Sequence, residues 1–318
     1  MEFPLTPTPL PEAGRGNPLA SVLIVNYNGG RRLLDCLQSL EEQTLPRYQF
    51  EVIVVDNASK DDSLAHAEER FPNVRYIRHP RNAGFAEGNN IAARQAKADI
   101  VVLLNNDTIA DPFWLEELLY VMNEQHADAA VSKLVFADDP TLINSGGLML
   151  LRDGRGSDAG FRMKDDGRFE TMRPVFAGCG AALALRKTSD VLDGSLFLYY
   201  EDLDAGWRLQ QAGKTVLLAP RSLVRHAVGS SGGDGSPVHR FHVERNRALL
   251  AWRHGDLFLA LYSIFVLIAK VPQAMLRLLT GRSNRRQAMA VPHAALSFLW
   301  RLPETITQRY LNRCWRLR

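Results

Sequence analysis

Four short apolar runs in the first 107 residues each stop at a polar or glycine-bearing end, and helical spacing fills the gaps between them. Ser21 to Asn26 is rich in β-formers and ends in Asn26-Tyr27-Asn28-Gly29-Gly30. Leu33, Leu34, Leu37 and Leu40 then recur on one helical face. Val52 to Val55 ends at Asp56-Asn57-Ala58-Ser59, and Asp61 or Ser59 is placed to cap a helix that runs through Glu69. Val74 to Ile77 leads into Asn82-Ala83-Gly84-Phe85, and Gly88 to Lys97 has helical character. Ile100 to Leu104 ends in Asn105-Asn106-Asp107. Asp111-Pro112 supplies an N-cap and a first-turn proline for a helix to about Glu124.

This alternation constrains the chain to an α/β fold, with a parallel sheet and helices on both faces. In open sheets of this kind ligands sit beyond the carboxyl ends of the strands. Asn26, Asp56, Asn82 with Gly84, and Asp107 therefore line one edge. A carboxylate such as Asp107 in that place can hold a divalent cation on a diphosphate. Asn-Asn-Asp alone would also suit a plain turn, but four polar ends in series are less easily dismissed.

Past residue 130 the pattern breaks up. Ala129 to Phe136, Gly147 to Leu151 and Ala181 to Leu185 are short apolar runs, and Asp153 to Arg173 is polar and glycine-bearing, as expected of a mobile loop. Gly178-Cys179-Gly180-Ala181-Ala182 is small enough for close approach of backbone or substrate. Asp202 to Gln211 reads as a helix stopped by Gly213, and Thr215 to Leu218 as a further strand before Val224-Arg225-His226. A core of this size needs no disulfides. The three cysteines, Cys36, Cys179 and Cys314, show no metal-ligand spacing, so free thiols in a reducing compartment are expected. Residues 1–18 lack the basic start and apolar core of a secretory signal and read as a disordered lead-in.

The ordered set of segments resembles the family 2 inverting glycosyltransferases of the GT-A fold, and within them the bacterial rhamnosyltransferase-like branch. The segments are Val25 to Gly29, Val54 to Ser59, Asn82 to Asn90, Leu104 to Asp107, Gly178 to Ala181, Tyr200 to Asp204, and His226. Together they cover about residues 20–255. The resemblance implies a mixed, mainly parallel Rossmann-like sheet with flanking helices and a dTDP- or UDP-linked sugar as donor. It places Asn26, Tyr27, Asp56 and Asn57 at the nucleoside, where Asp56 can accept a hydrogen bond from an imide N–H of uracil or thymine. Asn82, Gly84, Phe85 and Asn89 resemble a third donor segment, and Asn106 belongs to the strand-end triplet. Asp107 matches the last carboxylate of that triplet and implies Mg2+ or Mn2+ on the diphosphate, with His226 as an additional ligand. The first position of the family's triplet is Asp, and here it is Asn105; many members of this branch look that way, and it leaves one carboxylate fewer. Asp202 matches the base that takes the proton of the attacking hydroxyl. Glu201 is a rival or an acceptor-positioning group, and Asp204 a first-turn acid paired with Arg208.

The expected organisation is a lead-in over 1–18, a GT-A domain over 19–255, and a basic, apolar helical tail over 256–318. Residues 270–318 carry Lys270, nine arginines and the single acid Glu304, a net charge of +9 within a total of +3. An anionic partner follows. The apolar content points to a membrane surface and disfavours nucleic acid. The run Leu257 to Ala269 is too short to span a bilayer. With Lys270, Pro272 and Arg277 taken as interruptions, in-plane amphipathic helices on the cytoplasmic leaflet are expected. A buried core helix or a homodimer through the tail are the alternatives. The implied acceptor is a lipid-linked oligosaccharide or other cell-surface glycan precursor, and rhamnose the implied sugar. A catalytically inactive membrane-bound scaffold and a sugar nucleotidyltransferase are competing readings. The retained Asp107 and Asp202 oppose the first, and the lack of a strong basic phosphate loop after Asn26 opposes the second.

Overall fold

A computed structural model describes residues 17–228 and 235–315; the expected lead-in lies almost wholly outside the described residues. The first half alternates as the apolar runs require. β1 (Ala20–Asn26), α1 (Arg31–Glu41), β2 (Phe50–Asp56), α2 (Ser63–Arg70), β3 (Arg75–Arg78), α3 (Gly84–Gln95) and β4 (Ile100–Leu104) follow one another. Then come β5 (Thr108–Ala110), α4 (Trp114–Asn123), β6 (Ala129–Phe136), β7 (Ile143–Ser145), β8 (Leu148–Leu150), β9 (Gly156–Asp158), β10 (Arg173–Pro174) and β11 (Ala182–Arg186). α5 (Glu201–Gln211), β12 (Val216–His226), α6 (Pro237–His254), α7 (Leu257–Leu279) and α8 (Arg285–Trp315) complete the chain.

The main sheet runs β10-β12-β6-β11-β4-β1-β2-β3, with β5 on β12 and β7 on β6. β3, β2, β1 and β4 are mutually parallel. β11 then enters antiparallel between β4 and β6, which makes the sheet mixed. Residues alternate between two cores, as period-two geometry demands. Val22, Ile24, Val52, Val54, Val102 and Leu104 face α1, α2 and α4 through Leu33, Leu37, Leu64 and Leu115. Leu23, Ile53, Val55, Val101 and Leu103 face Ala86, Ala92, Ala93 and Ala205 of α3 and α5. Leu23, Ile24, Ile53 and Leu103 are fully buried, and each contributes roughly 1.5–3 kcal/mol by leaving water.

α2 begins at Ser63, after Asp62, whose side chain makes no capping bond; Asp61 accepts from Gly30 N–H, from the Ser63 hydroxyl and, at 3.4 Å, from Ser63 N–H of the first helical residue. Two local expectations are corrected. α4 starts at Trp114, two residues past Pro112. The polar stretch 153–173 is not a free loop. Phe169 is buried against Val135, Ile143 and Leu218, and Lys133 pairs with Asp165 and Glu170.

The chain divides into two compact units. The first contains the sheet. The second comprises Leu150–Gly156, Leu198–Tyr200 and Ser231–Arg318, and so holds α6, α7 and α8. Ser236 caps α6 by accepting from His239 N–H at 3.1 Å, and Asp256 caps α7 by accepting from Leu259 N–H at 2.7 Å. The buried Asn246 of α6 donates to the carbonyls of Leu198 and Tyr199 at 3.1 and 2.7 Å.

α7 corrects the expectation of an interrupted apolar run. It is one helix of 23 residues, continuous through Lys270 and Pro272. An interior proline costs a hydrogen bond and about 3 kcal/mol. Packing offsets that cost, since Ala260, Ser263, Leu267 and Ala274 bury one stripe. The Lys270 charge is met by Glu244 of α6 at 2.5 Å. Length and composition alone would let α7 cross a membrane: an 18-residue window has a mean hydropathy of 1.8 and is 22% buried.

Candidate functional site

Strand register builds the site. β1 and β2 run parallel with Asn26 level with Asp56, and Leu23 is level with Leu103 across to β4. Asn26 is therefore flanked by Asp56 on one side and Asn106 on the other. Its amide nitrogen donates to Asp56 Oδ1 at 3.1 Å, Ser59 Oγ at 3.2 Å and Ser63 Oγ at 3.0 Å. Its Oδ1 accepts from Asn106 at 2.9 Å. Asn26 is wholly buried, so its side chain ties three strand ends together. Gly29 is required beside it, because a Cβ there would lie 2.3 Å from Asn26 Oδ1.

The remaining residues of this side are knit by the same logic. Asn57 donates to Gly84 O at 2.9 Å and accepts from Ala83 N–H at 3.0 Å. Asn82 accepts from Gly84 N–H at 2.9 Å. Gly84 has φ +84° and its missing Cβ would sit 2.4 Å from Phe197 O, so no other residue fits without displacement. Phe85 N–H donates to that same carbonyl at 2.7 Å. Asn89, 1% exposed, donates to Phe85 O and keeps a buried Oδ1 without a partner. Tyr27 stands apart from this network, 44% exposed.

The other half of the site forms where β11 passes β4. Ala182 is level with Leu104 in antiparallel register, so the small Gly180-Ala181 step lies over Asn105 and Asn106. Asn105 N–H donates to Ala181 O at 3.0 Å, and Gly180 N–H donates to Asp202 Oδ2 at 3.0 Å. Two adjacent residues thus link the β4 end to the first turn of α5. Leu203 N–H holds the second Asp202 oxygen at 2.8 Å. Burial pushes Asp202 up, while the Gly180 and Leu203 N–H groups pull it down. Glu201 beside it is 5% exposed, and burial with the Asp202 charge raises it well above the usual carboxylate range. Its Oε2 is buried without a partner. Asp204 instead pairs with Arg208 at 2.8 Å.

His226 ends β12, level with Thr108 of β5. Its Nδ1 lies 2.9 Å from Asn144 Oδ1 and its Nε2 lies 3.3 Å from Asp107 Oδ1. The Nδ1 contact with Asn144 turns Nε2 toward Asp107, an orientation suited to a metal ligand. Asn105 Nδ2 lies 3.4 Å from the same Nε2, and its Oδ1 is buried without a partner. Among the described residues no three His, Cys, Asp or Glu side chains gather into a metal-holding group. Asp107 and His226 are a carboxylate and an imidazole, donor types that a divalent cation accepts.

Sequence reasoning missed two residues here. Asn144 lies on a three-residue strand without useful periodicity. Asp158 lies in the polar stretch taken as a loop, yet burial raises it to about 6, the Asp202 charge adds to the rise, and His226 and a Ser145 hydrogen bond oppose it.

Comparison with known proteins fits this geometry. The sequence matches Glycosyl transferase family 2 over residues 21–190, just over half of the chain. It is 26% identical over 302 residues to an N-acetylglucosaminyl-diphospho-decaprenol L-rhamnosyltransferase of Mycobacterium tuberculosis, covering 85% of this chain and 97% of that one. It is 27% identical over 118 residues to the poly(ribitol-phosphate) beta-N-acetylglucosaminyltransferase TarS of Staphylococcus aureus, covering 36% of this chain. The chain spans 20% of the length of TarS and 35% of an uncharacterized glycosyltransferase of Haemophilus influenzae. Among solved structures, GalNAc-T7 with UDP, GalNAc and Mn2+ superposes with a TM-score of 0.60 at 17% identity, over 75% of this chain and 48% of that one. The mannosyltransferase PcManGT of Pyrobaculum calidifontis with GDP-Man and Mn2+ gives 0.53 at 18% identity, over 90% and 88%. These neighbours establish the GT-A glycosyltransferase fold.

Proposed function

The chain belongs to glycosyl transferase family 2, and we propose that it moves a sugar, rhamnose in the first instance, from a dTDP- or UDP-linked donor to a lipid-linked oligosaccharide or related cell-surface glycan precursor. The acceptor hydroxyl is the attacking group, and C1 of the sugar is inverted. The observation that carries this reading is the convergence of Asp202 with the Asn105-Asn106-Asp107 strand end across Gly180-Ala181.

In the proposed step the acceptor oxygen bonds to C1 as the C1–O bond to the diphosphate breaks. The electron pair of that bond leaves with the diphosphate, and the hydroxyl proton passes to Asp202. Two backbone N–H groups fix the Asp202 carboxylate in one orientation. Burial raises its proton affinity, which suits a base. A single carboxylate suffices, unlike the carboxyl pair of glycoside hydrolases. Asp107 and His226 would hold Mg2+ or Mn2+, which would offset the charge of the leaving diphosphate; Mn2+ accompanies a nucleotide or nucleotide sugar in both structural neighbours. Asp56 and the loops fixed by Asn26 and Asn57 are assigned to the nucleoside, and the Asn82–Asn89 segment to the donor sugar side.

We also propose that α7 and α8 rest on an anionic leaflet, with the protein peripheral on the cytoplasmic face of the membrane. Phe258, Phe265 and Leu279 of α7 are 78%, 68% and 84% exposed, and Trp300 of α8 is 88% exposed. The +9 charge of residues 270–318 complements anionic headgroups. The buried stripe on α7 keeps one of its faces against protein, which favours a helix lying on the surface.

Purified protein with Mn2+ and a panel containing dTDP-rhamnose and UDP-N-acetylglucosamine should release nucleoside diphosphate from one of them when polyprenyl-diphospho-N-acetylglucosamine is added. No release from any donor would remove the proposed reaction. In flotation the protein should rise with phosphatidylglycerol vesicles and not with phosphatidylcholine vesicles. Remaining at the bottom with both would remove the membrane assignment.

A further inference from the structure

The proposed reaction leaves one carboxyl near Asp202 without a task. Asp158 closes β9, and its backbone is fixed on both sides: Ala159 N–H donates to Gly147 O at 2.8 Å, and Gly146 N–H donates to Ala159 O at 2.9 Å. This lays Asp158 beside Ser145 of β7, which acts on its carboxyl. The preceding residue of β7, Asn144, is the one that orients His226. One short strand therefore serves both side chains.

The Asp158 Oδ1 atom is shielded from water and has no hydrogen-bond partner. Folded proteins satisfy about nine in ten buried polar groups, and an unsatisfied one costs roughly 1–3 kcal/mol. Such an atom calls for a ligand that completes it. Its surroundings say which kind. Asp202 and His226 both act on Asp158 electrostatically, and Cys179 feels Asp158 and Asp202 together. The group therefore shares a neighbourhood with the proposed base and not with the Asn26 network. One open oxygen calls for one hydrogen-bond donor. A neutral donor is the better match, and a sugar hydroxyl beside the attacking one is such a donor.

We propose that Asp158 binds the acceptor: its open oxygen takes a hydrogen bond from a second hydroxyl of the acceptor sugar and thereby sets the attacking hydroxyl against Asp202. This rests on the glycosyl-transfer reading and names the group that selects a sugar acceptor over water. No new covalent step is involved; the proton still passes to Asp202.

The test compares wild type, Asp158→Asn and Asp158→Ala with the donors above, using polyprenyl-diphospho-N-acetylglucosamine as acceptor and donor hydrolysis by water as a parallel readout. Asp158→Ala should raise the acceptor KM about tenfold, the worth of one hydrogen bond. Asp158→Asn, which keeps a carbonyl acceptor, should raise it less. Donor KM and donor hydrolysis should stay within about twofold of wild type on the same argument. An unchanged acceptor KM overturns the inference, and so does a parallel fall in hydrolysis, which would mark a structural or proton-accepting role. A wild type that releases no nucleoside diphosphate removes the reaction and this inference together. Wild-type transfer with an unaltered Asp158→Ala removes this inference alone.

Discussion

Asn26 ends a strand of the main sheet and Asp158 ends a strand of the separate β8-β9 pair, and the two polar side chains are treated in opposite ways. Asn26 spends its carboxamide on Asp56, Ser59, Ser63 and Asn106. Asp158 keeps an oxygen shielded and unbonded, as do Asn105 and Glu201 nearby. The first region is a finished scaffold, whose polar groups hold loops and strand ends in place. The second has hydrogen-bonding capacity left over, which a ligand can complete. Buried polar residues at a strand end are therefore not all alike: the saturated Asn26 supports, and Asp158 keeps an acceptor that a ligand can complete.

The comparison can be broken by substitutions on each side. The largest effect belongs to Asp202→Asn, which should lower kcat by about 10²–10⁴-fold while leaving the melting temperature and donor binding near wild type. Turnover close to wild type would remove Asp202 from the proton transfer. Next is Asn26→Ala. It leaves Asp56 and Asn106 without a shared partner and should cost about 2–4 kcal/mol in urea unfolding. A loss of activity with no loss of stability would place Asn26 among the ligand contacts instead. Asn144→Ala frees the His226 ring and should raise the Mn2+ concentration for half-maximal activity by about 10–100-fold. An unchanged metal requirement would deny His226 its proposed role.

The smallest effect has the opposite sign. Burial lifts Asp158 from 3.8 to about 6, so the folded protein holds a proton that the unfolded chain releases. The charged form is thus disfavoured in the fold, and this penalty is present above pH 6 and vanishes as the pH falls below 4. In chelator, Asp158→Asn should be more stable than wild type at pH 8, by on the order of 2 kcal/mol. The gain should shrink toward pH 4, whereas the Asn26→Ala loss should not depend on pH. A pH-independent gain would mean that Asp158 is not held in a costly charged state.

What the sequence disclosed follows the same division. The ends of β1, β2 and β4 were legible because a short apolar run followed by Asn or Asp is a local signal, and parallel register then brings Asn26, Asp56 and Asn106 together. Asp107 and His226 lie side by side, at 3.3 Å between Nε2 and Oδ1. Asn144 and Asp158 were not legible, because their placement depends on the non-local pairing of β7 with β6 and on the Gly147–Ala159 bonds. The length of α7 was misread for a related reason. Lys270 looked like an interruption, but its partner Glu244 lies 26 residues earlier on α6, beyond any local window.

The stereochemistry at the transferred sugar's C1 tests the central claim most directly, since direct displacement with Asp202 as base allows one outcome. Proton NMR of the product formed during turnover should show an anomeric configuration opposite to that of the nucleotide sugar. Retained configuration would contradict the account, because it would require a covalent or same-face route in which Asp202 does not act as assigned.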